Sequence, residues 1–204
     1  MNLSMIDPVF PQIPQILESQ FMIDVLQSAF FAKGASYIQV EDCQMDEKRY
    51  KPGKKFQVTY RVSLNDSKTN SRYEQIVTAK LTPADDVAPH IEYIRSNQTQ
   101  TDIPSICYLP EISMLLWIFP YDRKLKHLAD LLNTQALKLG LAKYLVNLGF
   151  SNQAKLVSVA PKVMHYLPEE SCMIRYTLSV TDPSSPTSLQ EAVIYGQHYS
   201  GMDG

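Results

Sequence analysis

An α+β fold of antiparallel sheets with helices is predicted by three features of this chain: two alternating apolar–polar strands, two amphipathic helices, and the return of both at one fixed spacing. Tyr50, Pro52, Tyr60, Ser63 and Asp66 recur as Tyr166, Pro168, Tyr176, Ser179 and Asp182, each 116 residues further along without a gap. Self-similarity at a fixed period identifies repeated supersecondary units. The expectation is two related units, residues 1–133 and 134–204. The second copy is expected to be incomplete, ending after its third strand where the first continues.

Each element has its own signal. Phe21, Met22, Val25, Leu26, Ala29 and Phe30 fall at helical spacing, with Lys33 in the last turn and Gly34 at the cap. Leu137, Leu141, Tyr144, Leu145 and Leu148 repeat the pattern, from caps at Asn133 or Thr134 to Gly149. A segment of moderate strand character follows each helix, Tyr37 to Glu41 and Leu156 to Val159, and leads to the Tyr-x-Pro turn. Phe56, Val58, Tyr60, Val62 and Leu64 then alternate with Gln57, Thr59, Arg61, Ser63 and Asn65, the period of a strand with one face buried and one wet. Cys172, Ile174, Tyr176, Leu178 and Val180 alternate likewise with Met173, Arg175, Thr177, Ser179 and Thr181. Third strands are predicted at Gln75 to Leu81 and Ala192 to Tyr199. In the first copy, Val87, Ile91 and Ile94 predict a short helix within Pro83 to Ser96, starting near Pro89 because an interior proline breaks a helix. Ile106 to Leu109 and Met114 to Phe119 read as a hairpin through Pro110 and Glu111, its wholly apolar second strand central. Leu125, Leu128, Ala129 and Leu132 suggest an amphipathic helical segment leading into the second copy.

Composition narrows the function classes. The 204 residues are 45% apolar and 20% charged, as in an ordinary globular protein. A net charge of −2 gives no general attraction to nucleic acid or anionic lipid, so neither nucleic acid nor membrane is an expected partner. Cys43, Cys107 and Cys172 are odd in number and not at CxxC spacing, which predicts no disulfide framework and accords with a reducing cytoplasm. The first eighteen residues lack a basic start and carry Pro8, Pro11 and Pro14, unlike a signal peptide. His90, His127, His165 and His198 share no metal-ligand spacing, so no intrinsic metal or prosthetic group is expected. Neither a G-x-S-x-G elbow nor a Walker A sequence occurs. The tyrosines on strands and Trp117 read as core residues.

Three strands, a helix and two more strands is the element order of the small lobe of kinase-like phosphotransferases. Tyr50-Lys51-Pro52-Gly53-Lys54-Lys55, Val77-Thr78-Ala79-Lys80-Leu81 and Val193-Ile194-Tyr195-Gly196-Gln197 resemble words of bacterial proteins of the aminoglycoside phosphotransferase type. Leu109-Pro110-Glu111 and Phe119-Pro120-Tyr121-Asp122 add to the likeness. The resemblance covers most of the chain and implies ATP with magnesium held between this lobe and a helical large lobe. It implies that Lys80 on the third strand meets phosphates and pairs with Glu92 on the following helix. The basic turn of Lys51, Gly53, Lys54 and Lys55 then reads either as a phosphate contact or as a solvated hairpin tip. The second copy departs from the pattern, with Gln197 at the lysine position and Glu169, Glu170 and Ser171 in the turn.

No residue is assigned a catalytic role. Phosphoryl transfer needs an H-x-D-type loop and a metal-binding aspartate, and neither is found. His127-Leu128-Ala129-Asp130 has the wrong spacing and reads as an amphipathic helix. Two expectations stand side by side. One is the nucleotide-facing portion of a kinase-like protein, incompetent without a large-lobe partner. The other is a non-catalytic interaction scaffold that uses the Ala192 to Tyr199 edge, in the simplest case to form a homodimer.

Overall fold

The computed structural model describes residues 7–31, 35–82, 87–97, 103–185 and 189–201. Its α+β class agrees with the sequence. Compact units span Met1–Tyr121 and Asp122–Gly204, so the division falls earlier than the expected boundary after residue 133.

In the first unit, a short helix α1 (Ile13–Ile16) precedes α2 (Ser19–Leu26), which continues as a π-helical turn over Gln27–Phe31. The expected Lys33 and Gly34 cap lies outside the described residues. Then come β1 (Ile38–Lys51), β2 (Lys55–Asp66) and β3 (Ser71–Leu81), each longer than its sequence signal. Helix α3 (Ala88–Asn97) begins beside Pro89 as expected, although Pro83 to Asp86 and the Ile94 side chain lie outside the described residues. Strands β4 (Ile106–Leu109) and β5 (Met114–Ile118) flank a 3-10 turn at Pro110–Ile112. The antiparallel sheet runs β1-β2-β3-β5-β4, which places β5 inside as its apolar sequence required.

One face of this sheet packs against the N-terminal helices through Phe10, Ile13, Ile16, Met22, Leu26, Phe30 and Phe31. On the opposite face, Val87, Leu115 and Trp117 make a smaller cluster with Ile91 of α3. This second layer corrects the simple alternation expected of β2, because Gln57 and Thr59 on its nominally wet face are buried.

The second unit contains α4 (Thr134–Ala142), a 3-10 turn at Val146–Leu148, and strands β6 (Lys155–Leu167), β7 (Ser171–Thr181) and β8 (Gln190–Tyr199). Asn133 caps α4 by accepting the amides of Gln135 and Ala136, and Gly149 ends the following turn in the left-handed region. The sheet runs β6-β7-β8, and β7 alternates as predicted. The expected amphipathic helical segment around His127 is reduced to a 3-10 turn at Asp130–Leu132. His127 adopts a φ of +67° in a turn, exposed and bonded to Asp130, because its neighbours Leu125 and Leu128 reach the core from irregular backbone.

Candidate functional site

The repeated Tyr-x-Pro turn is built around a buried aspartate in each unit. Asp7 Oδ2 accepts the Tyr50 hydroxyl at 2.7 Å and the Gly53 amide at 2.8 Å, while its Oδ1 accepts the amides of Val9 and Phe10. Asp122 Oδ2 accepts the Tyr166 hydroxyl at 2.7 Å and the Glu169 amide at 2.8 Å, while its Oδ1 accepts the amides of Lys124 and Leu125. Gly53 and Glu169 occupy the same left-handed position, with φ of +63° and +64°. That conformation suits glycine and strains Glu169, whose carboxylate is held by Arg123 at 3.6 Å. A second tyrosine is anchored in both copies. The Tyr60 hydroxyl donates to the Ile16 carbonyl, and the Tyr176 hydroxyl to the Leu131 carbonyl.

These bonds explain why the tyrosines recur and why the second unit begins at Asp122. The two aspartates were not singled out from sequence because they stand 115 residues apart, one short of the common spacing, and their flanking residues differ. The usable signal was an aspartate preceding each helix at nearly the repeat distance.

The clamp also decides the basic turn. Lys51 and Lys54 are exposed, but the Gly53 amide that a phosphate oxygen would need is given to the Asp7 carboxylate. The Gly53 amide and then the Tyr50 hydroxyl hold that carboxyl below its ordinary range, so the turn already faces an anion.

Lys80 is half-buried on β3, opposite Gln57 on one side and Leu115 on the other. Glu92 is exposed on α3, the helix that follows the strand of Lys80. Cross-strand partners share a face, so Lys80 and Gln57 lie together with the adjacent pair Thr59 and Thr78. The Gln57 carboxamide and Thr78 hydroxyl, each in a residue about 1% exposed, lack hydrogen-bond partners among the described residues. Gln197 stands at the corresponding place on β8, opposite Met173 and exposed.

Burial pushes the Cys43 and Cys172 thiols up to about 12, with Asp42 and Asp122 adding to the respective shifts, which argues against either acting as a thiolate nucleophile. No cluster of three metal-ligating side chains occurs among the described residues, and no described helix is long and apolar enough to cross a membrane.

The four sheet edges differ. Edge β1 carries two register shifts, and its backbone is engaged from α2 and the π-helical turn. The Gln27 carboxamide donates to the Ile38 carbonyl and accepts the Val40 amide, and the Ser19 hydroxyl donates to the Cys43 carbonyl. Edge β4 is only four residues long. Edge β6 has two register shifts and carries Pro161, Lys155 and Lys162. Strand β8 is ten residues long, without a register shift, proline or lysine, and exposes Val193 (45%), Tyr195 (63%) and Tyr199 (43%). Bulges, prolines, lysines and short length are the devices that keep an edge from recruiting another strand. Of these edges, β8 has the fewest, with Glu191 its one charged side chain.

A further aspartate gives the fold a pH dependence. Asp182 accepts the hydroxyl and amide of Ser151 and those of Ser184, which hold its carboxyl well below the ordinary range. Asp7 is shifted in the same direction. A depressed folded pKa means the unfolded chain binds the proton more readily. The stabilisation is therefore complete above about pH 4, the ordinary carboxylate value, and is lost as pH falls through the lower folded values. Urea midpoints measured from pH 7 to pH 2 are expected to fall steeply below about pH 4, and Asp182→Asn is expected to flatten part of that slope.

No protein-family model matches the chain, and comparison with curated proteins and with solved structures finds no match.

Proposed function

We propose that this protein is a non-catalytic interaction scaffold that accepts an added antiparallel strand along β8. The observation that carries this reading is the contrast among the sheet edges, with β8 long, straight and the least guarded. Strand addition draws affinity from backbone hydrogen bonds and specificity from alternating side chains. The first unit supplies a template for the occupant. There the third strand, whose Val77 faces Tyr60, is covered by β5; in the second unit the third strand, whose Ile194 faces Tyr176, forms the edge. The occupant class is therefore an extended segment with large apolar residues, like Met114–Ile118. The three cysteines, free of disulfides, accord with a cytoplasmic setting.

A second reading keeps the first unit as the nucleotide-facing lobe of a kinase-like protein. Its element order and the Gln57–Lys80 pair, an unpartnered buried carboxamide beside a third-strand lysine, favour it. The ligand implied is magnesium-ATP, contacted by Lys80. Activity would still require a large lobe.

One experiment separates the two. A synthetic peptide of residues Ile112–Pro120 is titrated into the protein while amide exchange is followed. Protection confined to Ala192–Tyr199 is expected, and it is expected to persist in Lys80→Met. Unchanged exchange along β8 at saturating peptide overturns the scaffold reading, whereas ATP affinity present in the wild type and lost in Lys80→Met would support the nucleotide reading.

A further inference from the structure

We infer that the strand added to β8 is β8 of a second copy, paired antiparallel about a two-fold axis at Ile194; the inference rests on the scaffold reading above. Two copies that share one continuous sheet must place residues of the same face opposite each other. Along β8 the odd-numbered residues Glu191, Val193, Tyr195, Gln197 and Tyr199 are the exposed set, and the even-numbered residues are half-buried. Registers are therefore limited to those that pair odd with odd.

An axis at Ile194 lays Val193 of each copy opposite Tyr195 of the other, and Leu189 opposite Tyr199. These are the four large apolar residues exposed along this segment, with Leu189 at 55%. Every one gains an apolar partner in this single register. Aromatic and β-branched cross-strand pairs are among the favourable ones. The remaining pairs are Glu191 with Gln197, Gln190 with His198, and Ala192 with Gly196, so no like charges meet and the smallest side chains face each other. Shifting the axis to Tyr195 would set Val193 against Gln197 and Glu191 against Tyr199, a poorer match. The net charge of −2 per copy offers little repulsion. Gly196 contributes from the opposite direction. A Cβ there would lie 3.1 Å from the Tyr176 ring, so the glycine lets β8 sit flat on β7.

The test uses charge exchange. Val193→Lys/Tyr195→Lys and Val193→Glu/Tyr195→Glu alter residues that are exposed in the monomer, so both variants are expected to fold, as circular dichroism would check. Sedimentation of the wild type is expected to give a concentration-dependent dimer in the micromolar range, typical of a small interface. Each double variant alone is expected to be monomeric where the wild type is dimeric. Their equimolar mixture is expected to regain a one-to-one dimer, because position 193 of one copy faces position 195 of the other. A wild type that stays monomeric up to its solubility limit overturns the self-pairing, and if the Ile112–Pro120 peptide still protects β8 the scaffold reading survives without it. A dimer that persists unchanged in both double variants also overturns it, since the contact then lies elsewhere.

Discussion

Asp122→Ala is expected to destabilise the second unit by about 3–5 kcal/mol, because the substitution strips the acceptor from four donors, three of them in buried bonds, at roughly 1–3 kcal/mol for each that water does not reach. The Tyr166 hydroxyl and the Glu169 amide both end on Asp122 Oδ2, and the amides of Lys124 and Leu125 on Oδ1. Asp122 is buried, so water does not readily replace it. Hydrogen bonds to an ionised group are also stronger than neutral ones. In a unit of this size the melting temperature is expected to drop by about 12 °C or more. Asp122→Asn is expected to recover less than half of the loss, since one oxygen is kept but an NH2 group is turned toward two donors. A double-mutant cycle with Tyr166→Phe locates the effect. The two substitutions are expected to be non-additive by about 1–2 kcal/mol, with the Glu169 amide losing exchange protection in Asp122→Ala. Additive effects, or a loss below about 1 kcal/mol, would show that the clamp is not what holds the turn.

The first unit is expected to lose about 3–5 kcal/mol on Phe30→Ala, the range for truncating a fully buried phenylalanine. Phe30 is 1% exposed and lies 6.2 Å, ring centre to ring centre, from Phe31, which is equally enclosed. Neighbouring residues of a regular α-helix point about 100° apart, which makes it hard for both to reach one core. The π-helical turn at Gln27–Phe31 lets them do so, and it delivers the Gln27 carboxamide to the β1 backbone. Truncation is thus expected to lower the urea midpoint and also to raise exchange at the Val40 amide. Phe30→Leu is expected to cost less than half as much, because it keeps most of the apolar volume. Equal losses for the two variants would mean that the ring's shape, and not its burial, sets the cost.

The residues that could be read from sequence were those whose role is local. The alternation of β7, the apolar run of β5 and the Asn133 cap each express a rule that acts within a few residues, and each is present, whereas the helix expected to run to Gly149 ends at Ala142 and Gly149 closes a separate 3-10 turn. The strand following each helix was under-read, because β1 and β6 carry register shifts that break the two-residue period. The buried side chains of Gln57 and Thr59 were misread as wet for a different reason: a second layer on that face is a long-range fact.

The repeat, and with it the α+β class and the existence of two units, follows from sequence alone, since a periodic pattern of apolar residues is written in the order of the chain. Tertiary structure decided what the repeated tyrosines bond to. Asp7 and Asp122 reach tyrosines more than forty positions away, which clamps the Tyr-x-Pro turn of each unit. It also decided which strand edge is least guarded. Strand order and register set both outcomes, and they arise from contacts between segments far apart in the chain.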